Sequence, residues 1–240
     1  MAHENVAMMV IGNEILSGRT RETNAHLVAQ KMFARGCRLG EIAIVPDLRD
    51  KIVATLNRLR RDFDAVITSG GIGPTHDDIT MPCVAEAFGV PLLEHAQTLN
   101  LMRQYYGKDE LNEGRRRMAR LPQGAQPIIC AQSIAPGAHI GNVYVLAGVP
   151  NIFASQLETI LPQFGGRPFI REEIEVRLPE SRFAEALRTL QQRFGNVEIG
   201  SYPGRCGPNP CGKICLSSQD ELALKKAKHA VIAMLQSLMD

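Results

Sequence analysis

One short segment, "TSGGIGPTHDDIT" (68–80), places glycines next to paired carboxylates. Gly70, Gly71 and Gly73 carry no side chains, so backbone N–H groups can approach a phosphate closely and the chain can adopt positive φ. Asp77 and Asp78 would repel a phosphate unless a divalent cation lies between, because hard oxygen ligands hold Mg²⁺ while it bridges phosphate oxygens. The segment predicts a phosphate and metal site. The alternative is a sharp turn in which Asp78 caps the next helix and Asp77 is solvated.

The same segment offers further groups for an anion. Ser69, Thr75 and Thr80 supply hydroxyls, and Pro74 stiffens the exit of the loop. A helix predicted to begin near residue 79 would present free N–H groups and a partial positive charge. These features favour phosphate binding at this position.

Polar residues in two other segments are expected at the same place. Gly12, Glu14 and Asn24 lie in "GNEILSGRTRETN" (12–24), and Asp47 follows the next apolar run. Loops that leave the carboxyl ends of parallel strands meet at one edge of the sheet. We therefore expect acidic groups from successive strands to converge there.

Two later segments allow weaker interpretations. "SIAPGAHIGN" (133–142) is interpreted as a ligand-facing loop shaped by Pro136 and Gly137. Cys206, Cys211 and Cys215 lack a C-x-x-C pair and a nearby fourth ligand, so ordinary use of small residues is favoured over a zinc site.

The elements that must position these residues alternate between strands and helices. Short apolar runs separated by amphipathic helices imply parallel strands joined by right-handed crossovers. The sequence predicts an α/β fold: a three-layer, mostly parallel sheet with helices on both faces, followed by a small carboxyl-terminal α/β domain. We place the boundary near Gly166, giving domains 1–166 and 167–240, the second with the order βαββα.

Predicted strands of the first domain are 6–12, 41–46, 64–69, 126–130 and 142–148, and predicted helices are 23–35, 48–61, 79–89, 94–106, 111–119 and 151–164.

Composition excludes several classes of function. The chain has 240 residues and a formal net charge of +2, so there is no global attraction to nucleic acid or to an anionic membrane. The basic run "EGRRRMAR" (113–120) has helical spacing and is interpreted as a solvated face rather than a binding patch. The sequence shows neither a signal peptide nor a spanning helix, and its six cysteines are scattered, so we expect a reducing cytoplasm.

Taken together, these segments resemble the molybdopterin-binding superfamily of MogA, MoaB and the gephyrin and MoeA domains. The resemblance is closest to the amino-terminal domain of CinA and to the related domain of eukaryotic FAD synthase. The matching pieces are "IGNEILSG", "TNAHLVAQKM", "VPD", "TSGGIGPTHDDIT", "LAGVP" and "GSYP".

The resemblance implies a domain that binds a phosphorylated pterin or an adenine dinucleotide. It implies that Asp47 and Asp78 hold a divalent metal, Mg²⁺ or Co²⁺, with K⁺ as a further candidate cofactor. It also implies that the three glycines form the anion loop and that Glu14 and Asn24 flank it. A homodimer or another homo-oligomer is expected by analogy.

Three functions follow as hypotheses. The first is metal-dependent hydrolysis of a nucleotide pyrophosphate of the ADP-ribose or FAD type, in which Glu14 or Asp77 takes the proton from the attacking water. The second is a module that binds molybdopterin or a nucleotide without turnover, and the third is adenylylation of molybdopterin. CinA proteins commonly carry a further domain that deamidates nicotinamide mononucleotide; we expect that activity to be absent, because the sequence ends where that domain would begin.

The sequence departs from the family pattern at three places. Ala147 replaces the first proline of the usual "LPGVP", and Asn13 stands where an aspartate is common. The acidic residue and the methionine that usually follow "LPGVP" are replaced in "NIFASQL". These changes bear on substrate choice and turnover more than on phosphate binding.

Overall fold

The computed structural model describes residues 2–107, 110–206 and 209–238, without the side chains of 205, 206, 209 and 210. The chain divides into two compact units, Met1–Gly166 and Arg167–Asp240.

The strands of the amino-terminal unit are β1 (Asn5–Ile11), β2 (Arg38–Val45), β3 (Ala65–Ser69), β4 (Leu92–Glu94), β5 (Arg120–Pro122), β6 (Gln126–Cys130), β7 (Ser133–Ile140) and β8 (Val143–Leu146). Its helices are α1 (Asn13–Leu16), α2 (Asn24–Ala34), α3 (Arg49–Asp62), α4 (Thr80–Phe88), α5 (Ala96–Tyr106), α6 (Glu113–Arg117) and α7 (Pro150–Ile160), which continues into a 3₁₀ turn at Leu161–Gln163.

A six-stranded sheet with the order β2-β1-β3-β8-β7-β6 forms the centre of this unit. Strands β2, β1, β3 and β8 are parallel, whereas β7 and β6 add to the edge in antiparallel pairs. The predicted mostly parallel sheet is confirmed. β4 and β5 form a separate antiparallel pair that the sequence analysis did not predict.

Helices cover both faces of the sheet, because the central strands present apolar side chains on both faces. In β1, every residue from Val6 to Ile11 is buried, which is typical of a parallel strand between two helical layers. One core joins β1 to α2 and α7, and the other joins it to α3 and α4. In α3, Ile52, Leu56 and Leu59 form the buried stripe at helical spacing. The three-layer α/β architecture is therefore confirmed.

The carboxyl-terminal unit contains β9 (Ile170–Val176), α8 (Ala184–Arg193), β10 (Glu198–Cys206), β11 (Asn209–Ser218) and α9 (Glu221–Ser237). Its strands form an antiparallel sheet with the order β10-β11-β9. Two helices pack their apolar side chains on this sheet around a core of its own.

The interpretation of residues 133–142 as a loop is wrong. Ser133–Ile140 forms β7, and both Pro136 and Gly137 are buried in it. A β-carbon at Gly137 would lie 2.4 Å from the carbonyl oxygen of Val145, so the glycine allows β7 to pack closely beside β8. The structure places these two residues inside the sheet rather than in a loop above it.

The cysteines fall into two groups. Cys211 is disulfide-bonded, which the sequence analysis did not anticipate. Cys37, Cys83, Cys130 and Cys215 carry free thiols. The side chain of Cys206 lies outside the described part of the chain.

In the described part of the chain, no helix is long and apolar enough to cross a bilayer.

Candidate functional site

The adjacent parallel strands β1, β2, β3 and β8 end on the same side of the sheet, which we call the carboxyl edge. The loops that follow them are 12–24, 46–49, 70–79 and 147–149. They contact one another: a β-carbon at Gly148 would lie 3.2 Å from Cα of Gly70, and one at Gly70 would lie 2.2 Å from the carbonyl oxygen of Ile11. The segments predicted to converge are therefore brought together.

The loop at 70–79, which we call the glycine–aspartate loop, has a backbone that only glycine fits at two positions. Gly70 has φ of 102° and Gly71 has φ of 68°. A β-carbon at Gly71 would also lie 2.3 Å from Oγ1 of Thr80. Because L-residues rarely adopt this region of φ, the glycines are required by the path of the chain.

This backbone leaves donors free. The N–H of Gly70 donates to the carbonyl of Leu146 at 3.2 Å. The N–H groups of Gly71, Ile72 and Gly73, by contrast, have no acceptor among the described residues, and all three residues are partly exposed. Successive unpaired N–H groups in a bent backbone form an anion-binding concavity.

Asp78 closes the turn that precedes α4. Its Oδ2 accepts the backbone N–H of Thr75 at 2.8 Å and also the Thr75 hydroxyl. Gly73 makes room for the carboxylate, because a β-carbon there would lie 2.7 Å from Oδ2 of Asp78. The N-cap of α4 is Ile79, which makes no side-chain capping bond, so the alternative that Asp78 caps this helix is wrong.

Asp77 is exposed beside it. The neighbouring Thr75 hydroxyl is the main cause that holds the pKa of the Asp77 carboxyl below its usual value, and the Arg19 guanidinium adds a smaller effect in the same direction. Nδ1 of His76 lies 3.9 Å from Oδ1 of Asp77. Asp77 is therefore an ionised, solvated carboxylate at neutral pH.

Two more carboxylates lie on the carboxyl edge and are half-buried. Oδ2 of Asp47 accepts the backbone N–H of Asn13 at 2.8 Å, which ties the loop after β2 to the loop after β1. The Glu14 carboxylate folds back over Gly12, where a β-carbon would lie 2.5 Å from Oε1 of Glu14. Gly12 thus serves the placement of Glu14.

Three of the polar residues predicted to contact ligand are buried and bonded inside the protein. Nδ2 of Asn24 donates to Oγ of Ser69 and to the carbonyl of Gly148, both at 2.9 Å. The Thr80 hydroxyl donates to the carbonyl of Gly70 at 2.9 Å. These side chains hold the loops against one another, whereas Pro74, Thr75 and the carboxylates remain accessible.

Gln156 is part of this arrangement and was missed in the sequence analysis. Its Oε1 accepts the backbone N–H of Ala147 at 2.8 Å, and its side chain is completely buried. Gln156 lies on the buried stripe of α7 between Phe153 and Leu157. A polar residue on an apolar helical stripe is the signal that could have indicated its role.

The metal prediction rests on Asp47 and Asp78. Within residues 2–107, 110–206 and 209–238, no group of three or more His, Cys, Asp or Glu side chains is arranged to hold a metal ion. Each of the two aspartates uses Oδ2 for backbone N–H bonds, and neither Oδ1 has a hydrogen-bond partner among the described residues. Those oxygens are hard ligands of the type that Mg²⁺ prefers.

Two family models match the chain. Residues 7–172 match the family described as "Probable molybdopterin binding domain", and residues 168–239 match the middle domain of FAD synthase. A protein of Thermococcus kodakarensis is 36% identical over 212 residues, covering 82% of this chain and 84% of that protein. A CinA-like protein of Myxococcus xanthus is 33% identical over 211 residues, covering 81% of this chain and 50% of that protein.

Among solved structures, the crystal structure of the protein CinA from Thermoplasma acidophilum superposes with a TM-score of 0.62 at 31% identity. The superposed region covers 66% of this chain and 96% of the Thermoplasma acidophilum chain.

The fold and the carboxyl edge define a three-layer α/β protein whose polar loops follow the ends of parallel strands. The chain belongs to the molybdopterin-binding domain family and is CinA-like. The family resemblance stated from the sequence is confirmed.

Proposed function

We propose that the amino-terminal unit binds the phosphate of a nucleotide or pterin at the glycine–aspartate loop and hydrolyses a nucleotide pyrophosphate of the ADP-ribose or FAD type. The observation that carries the proposal is the run of unpaired N–H groups at Gly71, Ile72 and Gly73. Three donors in sequence match the oxygens of one phosphate group. Family membership supports a phosphorylated small molecule as the ligand.

The proposal includes a divalent cation bound by carboxylates at the carboxyl edge. Oδ1 of Asp47 and Oδ1 of Asp78 would bind Mg²⁺ or Co²⁺, with K⁺ as a further candidate in the same electronegative region. A cation held by few carboxylates is typical of sites in which Mg²⁺ keeps several waters and binds substrate phosphates. When bound, such a cation neutralises phosphoryl charge and lowers the pKa of water.

Each residue of the site then has its own role in the proposed reaction. The N–H groups of Gly71 and Gly73 stabilise the charge that develops on the phosphoryl oxygens. A water attacks one phosphorus and the bridging P–O bond breaks. The water oxygen stays on the attacked phosphate and the bridging oxygen leaves with the other phosphate, which gives AMP and either ribose 5-phosphate or FMN. The proton of that water passes to Glu14 or to Asp77; hydrogen bonding lowers the pKa of Asp77, which disfavours Asp77 as the base.

The direct test is incubation with ADP-ribose or FAD together with Mg²⁺ or Co²⁺, followed by chromatography for AMP. We expect metal-dependent release of AMP. In Asp78→Asn the amide oxygen can still accept the Thr75 N–H, so the turn should persist. Loss of the negative charge should reduce turnover by roughly a hundredfold or more.

Asp50→Asn is the matched control, since Asp50 is an exposed carboxylate in the first turn of α3. Its turnover should equal that of the wild type. Unchanged turnover in Asp78→Asn would remove this carboxylate from the mechanism.

A second candidate, a module that binds without turnover, is favoured by the segment after β8. The acidic residue and the methionine that the family usually carries there are replaced in "NIFASQL" (151–157), and Phe153 of this segment is completely buried in the core. On this alternative the protein binds the nucleotide in calorimetric titration, yet no AMP forms with either metal.

A further inference from the structure

A small lobe lies beside the glycine–aspartate loop. It consists of β4, α5, α6 and β5, and its own apolar cluster is built on Leu99, Met102 and Ala119. Gly114 of α6 faces the loop: a β-carbon there would lie 3.4 Å from the carbonyl oxygen and 3.5 Å from Cβ of Pro74. Helix α6 is therefore in contact with the loop that carries the free N–H groups.

The arginines of this lobe are not equivalent. Arg115 pairs with Glu110 at 3.1 Å, and its guanidinium lies 4.2 Å from the ring centroid of Tyr106. Arg116 pairs with Glu94 at 2.9 Å. Arg120 pairs with Glu113 at 2.7 Å. These ion pairs account for the solvated basic face expected from the sequence.

Arg117 differs from its neighbours. Across the described residues it has no ion pair, side-chain hydrogen bond or ring contact, and it is only half-exposed. It follows Gly114 by three residues, so the two lie on the same face of α6. That face is the one packed against Pro74. Arg117, which has no carboxylate partner among the described residues, thus lies on the face of α6 next to the glycine–aspartate loop.

We propose that Arg117 binds the second phosphate of a diphosphate-bridged nucleotide whose first phosphate lies on the N–H groups of Gly71 to Gly73. A guanidinium donates two parallel hydrogen bonds that match the oxygens of one phosphate. The three N–H groups of the glycine–aspartate loop serve one phosphate, so a second donor is needed for the other. Arg19, on the Asp77 side of the loop, interacts with that carboxylate. Arg117 forms no ion pair among the described residues, and Glu113, four residues before it, pairs with Arg120. The inference rests on the proposed function and makes Arg117 the residue that distinguishes diphosphates from monophosphates.

The test is calorimetric titration of the full chain with two probes, ADP-ribose and AMP, each without divalent metal, so that ADP-ribose is not hydrolysed during the measurement. In Arg117→Gln the Kd for ADP-ribose should rise roughly tenfold to a hundredfold, because a charge-assisted pair is lost, while the Kd for AMP stays within about twofold. Arg117→Lys keeps the charge without the fork and should recover part of the affinity for ADP-ribose. Arg103→Gln, an exposed arginine of α5 in the same lobe, should leave both affinities unchanged.

Two results would overturn the inference: an unchanged Kd for ADP-ribose in Arg117→Gln, or equal weakening for both probes. Failure of phosphate binding at the glycine–aspartate loop has a different signature, because the wild type would then bind neither probe. Failure of hydrolysis alone would leave both Kd values measurable. Circular dichroism of Arg117→Gln, together with the Arg117→Lys arm, separates a loss of contact from a loss of fold.

Discussion

The parallel strands β1, β3 and β8 begin on the side of the sheet opposite the carboxyl edge, which we call the amino edge. Polar side chains there are hydrogen-bonded to neighbours, whereas at the carboxyl edge the described residues leave N–H groups and carboxylate oxygens free. Oδ2 of Asp64 accepts the N–H groups of Asn5 at 2.9 Å and Glu4 at 3.3 Å. Nε2 of His3 and the hydroxyl of Tyr144 form a hydrogen bond of 3.0 Å. The contrast teaches that unpaired groups mark the edge available to a ligand, since native structures otherwise pair them.

Among substitutions at the carboxyl edge, Gly70→Ala is expected to have the largest effect on stability and on binding. In Gly70→Ala the new β-carbon would meet the carbonyl oxygen of Ile11 in a left-handed backbone, so the loop must move. We expect the free energy of unfolding to fall by roughly 2–4 kcal/mol and the affinity for ADP-ribose to fall more than about a hundredfold. Denaturant titration and calorimetry measure the two quantities.

Gly89→Ala is its control. Gly89 also has a positive φ, of 65°, but beyond its own helix and chain neighbours no described residue has a heavy atom within 4 Å of the position that an alanine methyl group would take there. Only the strain of about 1 kcal/mol should be seen, with binding unchanged. Retention of full affinity in Gly70→Ala would show that the anion binds elsewhere.

An intermediate effect is expected at Asn24, which belongs to the buried side of the carboxyl edge. Asn24→Ala leaves the carbonyl of Gly148 without its donor. The free energy of unfolding should fall by roughly 1–3 kcal/mol, and binding should weaken about tenfold because the loops lose their mutual support. Asn57→Ala, which removes one partly buried hydrogen bond from Arg60, is the comparison and should cost about 0.5–1 kcal/mol. Equal losses in the two variants would contradict a positioning role for Asn24.

The smallest effect concerns the amino edge and pH. Burial lowers the pKa of His3, with Asp64 opposing that shift and His139 adding to it. As the pH falls below about 6.5, the usual histidine value, the unfolded state takes up the proton first, so stability decreases. The Tm should therefore fall between pH 7.5 and 5.5, and the fall should be smaller in His3→Gln, as differential scanning calorimetry would measure. An identical pH dependence in the variant would exclude His3.

Much of the fold could be predicted from the sequence because its signals are local. The buried run of β1, the stripe of α3 and the glycines at 70 and 71 each express a requirement of their own segment. Pro136 and Gly137 misled because such residues usually mark loops. The register of β6 against β7 shifts between Ile128 and Cys130, and β8 pairs only with Ala138–Ile140, so Pro136 sits where the ladder is irregular.

The position of the candidate site could be predicted from the sequence more easily than the roles of its individual residues. The sequence indicates which polar residues follow the strands, and Asp47 and Asn24 both do. Which of them is buried depends on the neighbouring loop, since Asn24 meets Gly148 only after folding brings residues far apart in sequence together. For the same reason Gln156 and Arg117 acquire their significance from tertiary neighbours and not from their own segments.

The isolated bridge between His3 and Phe164 places the first and last segments of the amino-terminal unit side by side. The N–H of His3 donates to the carbonyl of Gln163 at 2.9 Å, and the N–H of Gly165 donates to the carbonyl of His3 at 3.2 Å. A short peptide could therefore join residue 165 back to residue 2 of the amino-terminal unit. That unit could then be opened at the exposed turn of Gln123 and Gly124. In the resulting circular permutant, each loop of the carboxyl edge keeps its sequence.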